Sequence, residues 1–277
     1  MADIGSGRYR DLDRPGLDAV ALVTALQRGG GLWRSVEVVE QIGSTNAALA
    51  TRAADGEAEG LVLVAEHQVA GRGRLDRTWT SPPRAGMTVS VLLRPDVPVA
   101  RRGWLSMLTG VALAESLSGT ARTSLKWPND LLAPDGRKLA GILAEVADGA
   151  VVVGVGLNVS TTEDELPATG TSLGLVAGRP VDRAPVLLAY LRALEERYRT
   201  WVAHAGDPVS SGLAADYLAW CSTIGAEVTV TLPDGSTLDG VAEAVDWDGR
   251  LVVRTPDGRY DLAAGDVRHV RPRAPEA

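Results

Sequence analysis

The chain has no phenylalanine, a single cysteine and only three histidines among its 277 residues. Lone Cys221 excludes an internal disulfide and a multi-thiolate metal site. His67, His204 and His269 are scattered, without the spacing of a zinc site. The missing phenylalanine assigns no function, because leucine, valine and seven tryptophans can fill a core. No stretch approaches the roughly 18 apolar residues of a membrane span. Residues 1–14 mix Arg8, Arg10 and Arg14 with Asp3, Asp11 and Asp13, and lack the apolar segment of about 7–15 residues that a signal peptide needs. Cytoplasmic residence is therefore expected. Surplus positive charge is absent too: the net charge of −7 argues against a large footprint for duplex nucleic acid. What remains is 45% hydrophobic and 23% charged, an ordinary soluble composition in a chain long enough to bury a core unaided.

Periodicity predicts a helix over residues 17–27, with Pro15 ahead of it and Gly29-Gly30-Gly31 behind. A strand over 35–40 precedes a helix that opens at Ser44 or Thr45. Residues 61–66 and 87–93 are apolar runs of buried-strand type, separated by a loop rich in Gly, Arg and Pro. A helix is expected over 104–117, and a second, long and amphipathic, over 187–202. Residues 138–146 and 150–155 form a hairpin at Asp148-Gly149. Hairpins among helices make this a mixed α+β body rather than an alternating parallel one.

From about Ile224 the texture changes. Four short strand candidates, over 227–232, 237–245, 251–254 and 259–262, alternate with turns at Pro233-Asp234-Gly235, Asp246-Trp247-Asp248-Gly249 and Pro256-Asp257-Gly258. They predict a small all-β meander that closes as a barrel. The expected organisation is a flexible tail over 1–14, a body over 15–222, a β domain over 223–272 and a second tail over 273–277.

Four segments carry chemistry. Gly71-Arg72-Gly73-Arg74 follows a strand; its glycines let backbone N–H groups approach an anion, and its arginines offer forked donors. It lacks the lysine, the Ser/Thr and the following helix of a P-loop. Lys126-Trp127-Pro128-Asn129-Asp130 leads to Lys138-Leu139-Ala140-Gly141-Ile142. Gly154-Val155-Gly156-Leu157-Asn158 puts two glycines on one strand, the mark of a close approach by a ligand or another backbone. Gly43-Ser44-Thr45-Asn46 supplies polar side chains where a helix cap is also expected. Each alone has a plain structural reading as a solvated loop, a turn, a strand end or a cap.

In this order, over residues 44–158 and with Gln68 and Trp79 between them, the segments resemble the biotin protein ligase family. The resemblance implies a fold like the class II aminoacyl-tRNA synthetase or biotin–lipoate ligase catalytic core, a mixed sheet with helices, followed by a small SH3-like β-barrel. It implies ATP-dependent formation of biotinyl-5′-AMP and transfer of biotin to a lysine of the biotin carboxyl carrier domain of an acyl-CoA carboxylase. Ser44, Thr45, Asn46, Gln68 and Gly141 would line the biotin pocket. Arg72, Gly73 and Arg74 would form the ligand loop, with Lys138 beside the biotin carboxylate and α-phosphate. Trp79, Asn129, Asp130 and Asn158 would serve ATP. Mg²⁺ would come with ATP, and Asp130 would meet it directly or through water. Lys138, Arg72 and Arg74 are the expected catalytic groups.

Three alternatives share part of this pattern. A lipoate ligase or octanoyl transferase shares the fold; the transferases use a cysteine nucleophile, whereas Cys221 stands outside the motifs, and Gln68 with Gly71–Arg74 and the terminal β domain favour biotin. A repressor carries an amino-terminal helix-turn-helix domain; about thirty residues before the body are too few, so no repressor role and no nucleic-acid partner are expected. A non-catalytic biotin-binding module would not need Lys138, Asn129 and Asp130. A monomer or weak homodimer is expected, with no membrane partner.

Overall fold

The computed structural model describes residues 14–26, 31–75, 77–263 and 265–269. The expected tails over 1–13 and 273–277 lie outside them, as do residues 27–30. Two sheets organise the chain. The first has seven strands in the order β1-β2-β3-β7-β6-β5-β4. Its members are β1 (Ser35–Val39), β2 (Leu61–Ala65), β3 (Gly86–Leu93), β4 (Ser124–Lys126), β5 (Asp130–Leu132), β6 (Lys138–Ala147) and β7 (Ala150–Asn158). Only β1 and β2 pair in parallel; the other pairings are antiparallel. β6 and β7 form the expected hairpin, turning through Asp148 and Gly149 with φ of 46° and 74°.

Strands β2, β3 and β7 are buried at every position. The cause is cover on both faces, the arrangement that turns strands into unbroken apolar runs. Helix α2 (Thr45–Ala54) covers one face, where Leu49 and Ala53 pack with Leu61, Leu63, Leu92 and Val152. Three helices cover the other: α1 (Ala19–Leu26), α3 (Trp104–Leu117) and α5 (Arg183–Ala203). There Val62, Val64, Val89, Val91 and Val153 join the main core. The short α4 (Leu173–Ala177) and α6 (Leu213–Trp220) complete the body. No helix among the described residues is long and apolar enough to cross a membrane.

The predicted strands and long helices are present, with shifts of a few residues at their ends; the long helix starts four residues early, capped by Asp182, which accepts from Ala184 N at 2.9 Å. Several elements were not foreseen, the short α4 among them. β4 and β5 flank the Lys126–Asp130 segment as a tight hairpin, with Lys126 opposite Asp130. Helix α6 and a fifth strand of the terminal sheet are further ones. Arg14, assigned by sequence to a tail, is held: its Nη2 donates to Glu165 Oε2 at 2.6 Å and to Ser160 O at 3.1 Å.

The second sheet runs β11-β10-β9-β8-β12, from β8 (Glu227–Thr231), β9 (Thr237–Val245), β10 (Leu251–Thr255), β11 (Gly258–Leu262) and β12 (Asp266–His269). After the meander the chain returns to pair β12 beside β8. Val228, Val230, Ala242, Leu251, Val253 and Val267 are among its buried residues and belong to the main core. Tryptophans fasten this sheet to the body. Trp104 Nε1 donates to Trp247 O at 2.9 Å, and Trp127 Nε1 to Gly249 O at 3.1 Å. Trp127 N donates to Thr223 Oγ1 at 3.0 Å. Part-buried backbone carbonyls at a turn thus find donors, and two large side chains bury apolar area there.

Candidate active site

Strand parity builds the site. In the β3–β7 register Leu92, Ser90, Thr88 and Gly86 lie opposite Val152, Gly154, Gly156 and Asn158. In β6, Glu145, Leu143 and Gly141 lie opposite Val152, Gly154 and Gly156. Alternate residues of a strand share a face, so Ser90, Thr88, Gly154, Gly156, Leu143 and Gly141 continue the face that Leu92 and Val152 turn to α2. Helix α2 begins only at Thr45, and beyond its amino end that face is left open as a cleft. Its empty volume is about 900 Å³, part of it open to solvent.

The capping sequence leads into this cleft. Ser44 caps α2, its Oγ accepting from Ala47 N at 3.4 Å. Thr45 and Asn46 are almost fully buried. Thr45 N and Oγ1 both donate to Gln68 Oε1, at 2.7 and 2.9 Å. Asn46 Nδ2 donates to Leu143 O at 3.1 Å and Glu145 Oε2 at 2.8 Å. Ser90 Oγ stands 2.6 Å from Asn46 Oδ1 and 2.7 Å from Thr45 Oγ1. These side chains are held by one another, which fixes donors and acceptors before any ligand arrives.

The two glycines of β7 each admit a side chain. A Cβ at Gly154 would lie 2.2 Å from Asn46 Oδ1, and one at Gly156 would lie 2.3 Å from Trp79 Cε2. The close approach expected from the sequence is therefore made by Asn46 and Trp79. Trp79 Nε1 is buried without a hydrogen-bond partner among the described residues.

Cations surround the cleft. The Gly71–Arg74 segment and the return through 77–79 form a narrow loop: Gly73 N donates to Arg77 O at 2.6 Å, and Trp79 N to Gly71 O at 2.9 Å. Arg72 Nη2 reaches Glu145 Oε2 at 3.1 Å. The Arg74 guanidinium is half-buried; burial lowers its pKa, opposed by the nearby charges of Asp130 and Asp266. Lys138 Nζ lies 2.5 Å from Asp130 Oδ1, and Lys126 Nζ lies 3.8 Å from Asp130 Oδ2. The backbone of Lys138 is pinned on both sides, Lys138 N donating to Thr169 O and accepting at its own carbonyl from Thr171 N.

All the residues expected in the site line this one cleft except Asn158. Asn158 is buried, and its Nδ2 donates to Thr171 O at 3.0 Å. Sequence reasoning missed Ser90, Glu145, Arg77, Lys126 and Asp266, all beside the cleft or bonded to its lining. Parity with Gly141 could have suggested Glu145; no local signal marks Asp266, which the second sheet contributes. Cys221 lies outside the lining, at the end of α6, so no thiol nucleophile stands in the cleft.

Chemically, rigid neutral donors and acceptors at one end suit a small polar head group. Arg74, Lys126 and Lys138 at the other suit an anion of several charges, while Arg72 shares Glu145 Oε2 with Asn46 and so stands beside the first. No group of three or more His, Cys, Asp or Glu among the described residues is arranged to hold a metal ion. Asp130 already faces two ammonium groups, so the donor set fits a cation carried in on phosphate oxygens rather than a caged one.

Residues 38–161 match the Biotin/lipoate A/B protein ligase family, and residues 223–270 match the Biotin protein ligase C terminal domain. The chain is 45% identical over 269 residues to the biotin–[acetyl-CoA-carboxylase] ligase of Mycobacterium tuberculosis, a match covering 95% of this chain and 99% of that one. It is 34% identical over 223 residues to the bifunctional ligase/repressor BirA of Bacillus subtilis, covering 76% of this chain and 66% of that protein. In fold it is similar to the biotin protein ligase from Aquifex aeolicus in complex with biotin and ATP, with a TM-score of 0.72 at 24% identity, covering 86% of this chain and 100% of that one.

Proposed function

The chain belongs to the biotin protein ligase family, and from that premise we propose that it forms biotinyl-5′-AMP and then biotinylates a carrier lysine. In the first step a carboxylate oxygen of biotin attacks the α-phosphorus of ATP, and the bond to the departing pyrophosphate breaks. In the second, the carrier amine attacks the acyl carbon, AMP leaves and the amine gives up a proton. The carrier is the biotin carboxyl carrier part of an acyl-CoA carboxylase, in keeping with the name of the Mycobacterium tuberculosis relative, a biotin–[acetyl-CoA-carboxylase] ligase.

The observation that carries this reading is the convergence of Lys138, Arg72 and Arg74 on one cleft with the Thr45–Asn46–Ser90–Gln68 network, to which Arg72 is joined through Glu145. Both reactants of the first step are anions, so the catalytic need is neutralisation and in-line placement. In this reading Ser44, Thr45, Asn46 and Gln68 hold the biotin head, and Gly141 leaves room for the acyl chain. Lys138 and Arg72 face the carboxylate, and Arg74 the α-phosphate. Trp79 flanks the nucleotide, with Asn129 and Asp130 by the phosphates. Mg²⁺ bound to ATP would supply further neutralisation there, with Asp130 as its protein contact through water.

The test is biotin-dependent exchange of labelled pyrophosphate into ATP, followed by biotin transfer to an isolated carrier domain. Absence of biotin-dependent exchange by the folded protein would sink the reading.

Two variants probe its parts. In Gly154→Ala the new methyl displaces Asn46 from a network that leaves partners buried, a loss of about 1–3 kcal/mol. Biotin binding should weaken by about tenfold to a hundredfold at an unchanged fold, as read by calorimetry and circular dichroism; native affinity would dismiss the network as the biotin site. Arg72→Ala removes a cation from the loop that excludes water from the mixed anhydride. The adenylate should then escape and hydrolyse about tenfold faster or more, an effect of the size of a charged hydrogen bond. A native adenylate lifetime would refute the loop assignment.

A further inference from the structure

The terminal domain reaches the cleft at the start of β12. Gly265 and Asp266, at the start of β12, line it together with the loop and β6. Asp266 Oδ2 accepts from Arg77 Nη2 at 2.5 Å and Oδ1 from Arg77 Nη1 at 3.4 Å, across 189 residues of sequence. A two-point carboxylate–guanidinium contact restricts orientation as well as distance. Arg77 in turn is bonded into the loop: its carbonyl accepts from Gly73 N and its N–H donates to Arg74 O at 3.2 Å. Arg72 forms an antiparallel bridge with Thr78. Whatever fixes Arg77 on the returning arm therefore fixes Gly73, and with it Arg72 and Arg74 on the leading arm.

The β12 position is itself held. Asp266 pairs with Thr231 and His269 with Val228 of β8. His269 Nε2 is 3.0 Å from Thr223 Oγ1, which accepts from Trp127 N. A rigid chain of contacts thus runs from the Lys126–Asp130 hairpin through β12 to the loop. The charge balance agrees. A free carboxylate facing this cleft would repel a polyphosphate, and pairing with Arg77 removes that cost.

We propose that Asp266 is a positioning residue for adenylation: through Arg77 it holds the Arg72–Arg74 loop over the cleft, so that the terminal sheet completes the site. The proposal rests on the reading of that loop as the cover of the adenylate. Arg77 is largely exposed and Asp266 partly so, which sets the scale of such a pair at up to about 1 kcal/mol, roughly threefold to fivefold.

The experiment compares the full chain with Asp266→Asn, of the same shape, and Asp266→Glu, which keeps the charge. In the ligand-free protein, tryptic cleavage after Arg72, Arg74 and Arg77 should speed about threefold to fivefold in the Asn variant. With biotin and ATP, adenylate release should rise by the same factor. The KM for ATP should rise by no more than the same factor, because the loosened loop carries Arg74; general damage to the site would raise it further. Asp266→Glu should restore both rates. Native cleavage and release in the Asn variant overturn the proposal, as does a Glu variant no better than Asn, or a tenfold or larger rise in KM. The two readings separate cleanly. Native protein without biotin-dependent exchange ends the ligase reading, while the cleavage comparison in ligand-free protein still decides the Arg77–Asp266 link.

Discussion

Lys138→Ala should lower biotin-dependent pyrophosphate exchange by about 10²–10³-fold, the usual scale for removing one group that stabilises transition-state charge. In the proposed reaction two anions must meet, and Lys138 is a cation whose main chain is held on both sides. It opens β6 and exchanges backbone hydrogen bonds with Thr169 and Thr171, so its ammonium group projects into the cleft from a fixed root. Its ion pair with Asp130 is partly exposed, and such pairs contribute little to folding. Asp130 also keeps Lys126 beside it in the variant. Thermal stability should therefore stay near native while catalysis collapses. Exchange above about a tenth of native in a folded Lys138→Ala protein would remove Lys138 from the reaction. Lys138→Arg should recover only part of the rate, since a planar fork cannot occupy the position of a compact ammonium group.

How far the site was legible in sequence depended on how local its signals are. Ser44 announced both the cap and the polar end of the cleft, because a helix start and a set of directed hydroxyl and amide groups need the same residue types. Strands β2, β3 and β7 were legible because helices cover both their faces and leave the runs apolar throughout. Gly154 and Gly156 signalled a close approach, but not what approaches: Asn46 and Trp79 come from far along the chain. Asn158 reads as a ligand contact at the end of a strand; what the sequence does not show is that its Nδ2 also donates to Thr171 O.

What stayed hidden required the register. Ser90 and Glu145 reach the network only because Ser90 stands opposite Gly154 and Glu145 opposite Val152. Read along the chain, each is an ordinary polar residue in a strand. β4 and β5 are three residues each, too short for any alternation to show, so the Lys126–Asp130 segment read as a simple turn. Asp266 belongs to another sheet altogether, and a contact made by folding two units together leaves no local pattern.

Arg183→Met should destabilise the protein by about 3–5 kcal/mol, because it strands a buried carboxylate. The side chains of Arg183 and Glu66 are only 5% and 2% exposed, with Arg183 Nη1 2.6 Å from Glu66 Oε2. The pair serves the site as well as the core. Glu66 opens the loop that carries Gln68 and Arg72, and Gly86, whose carbonyl accepts from Arg183 Nη1 at 3.2 Å, closes it. Arg84 N donates to Glu66 O as well. Glu66 Oε1 accepts from Leu17 N, and Arg183 Nη2 donates to Pro15 O, so the same pair ties down the segment before α1. In urea titration the single variant should lose most of its stability. The double variant Glu66→Gln/Arg183→Met should regain much of it, since the cost lies in the unpaired charge rather than in the missing attraction. The double variant should still bind biotin more weakly than native protein, because the two ends of the loop are no longer joined through one guanidinium. A single variant destabilised by under about 1 kcal/mol would mean that water reaches Glu66. A stable double variant with native biotin affinity would leave the pair a part of the core alone.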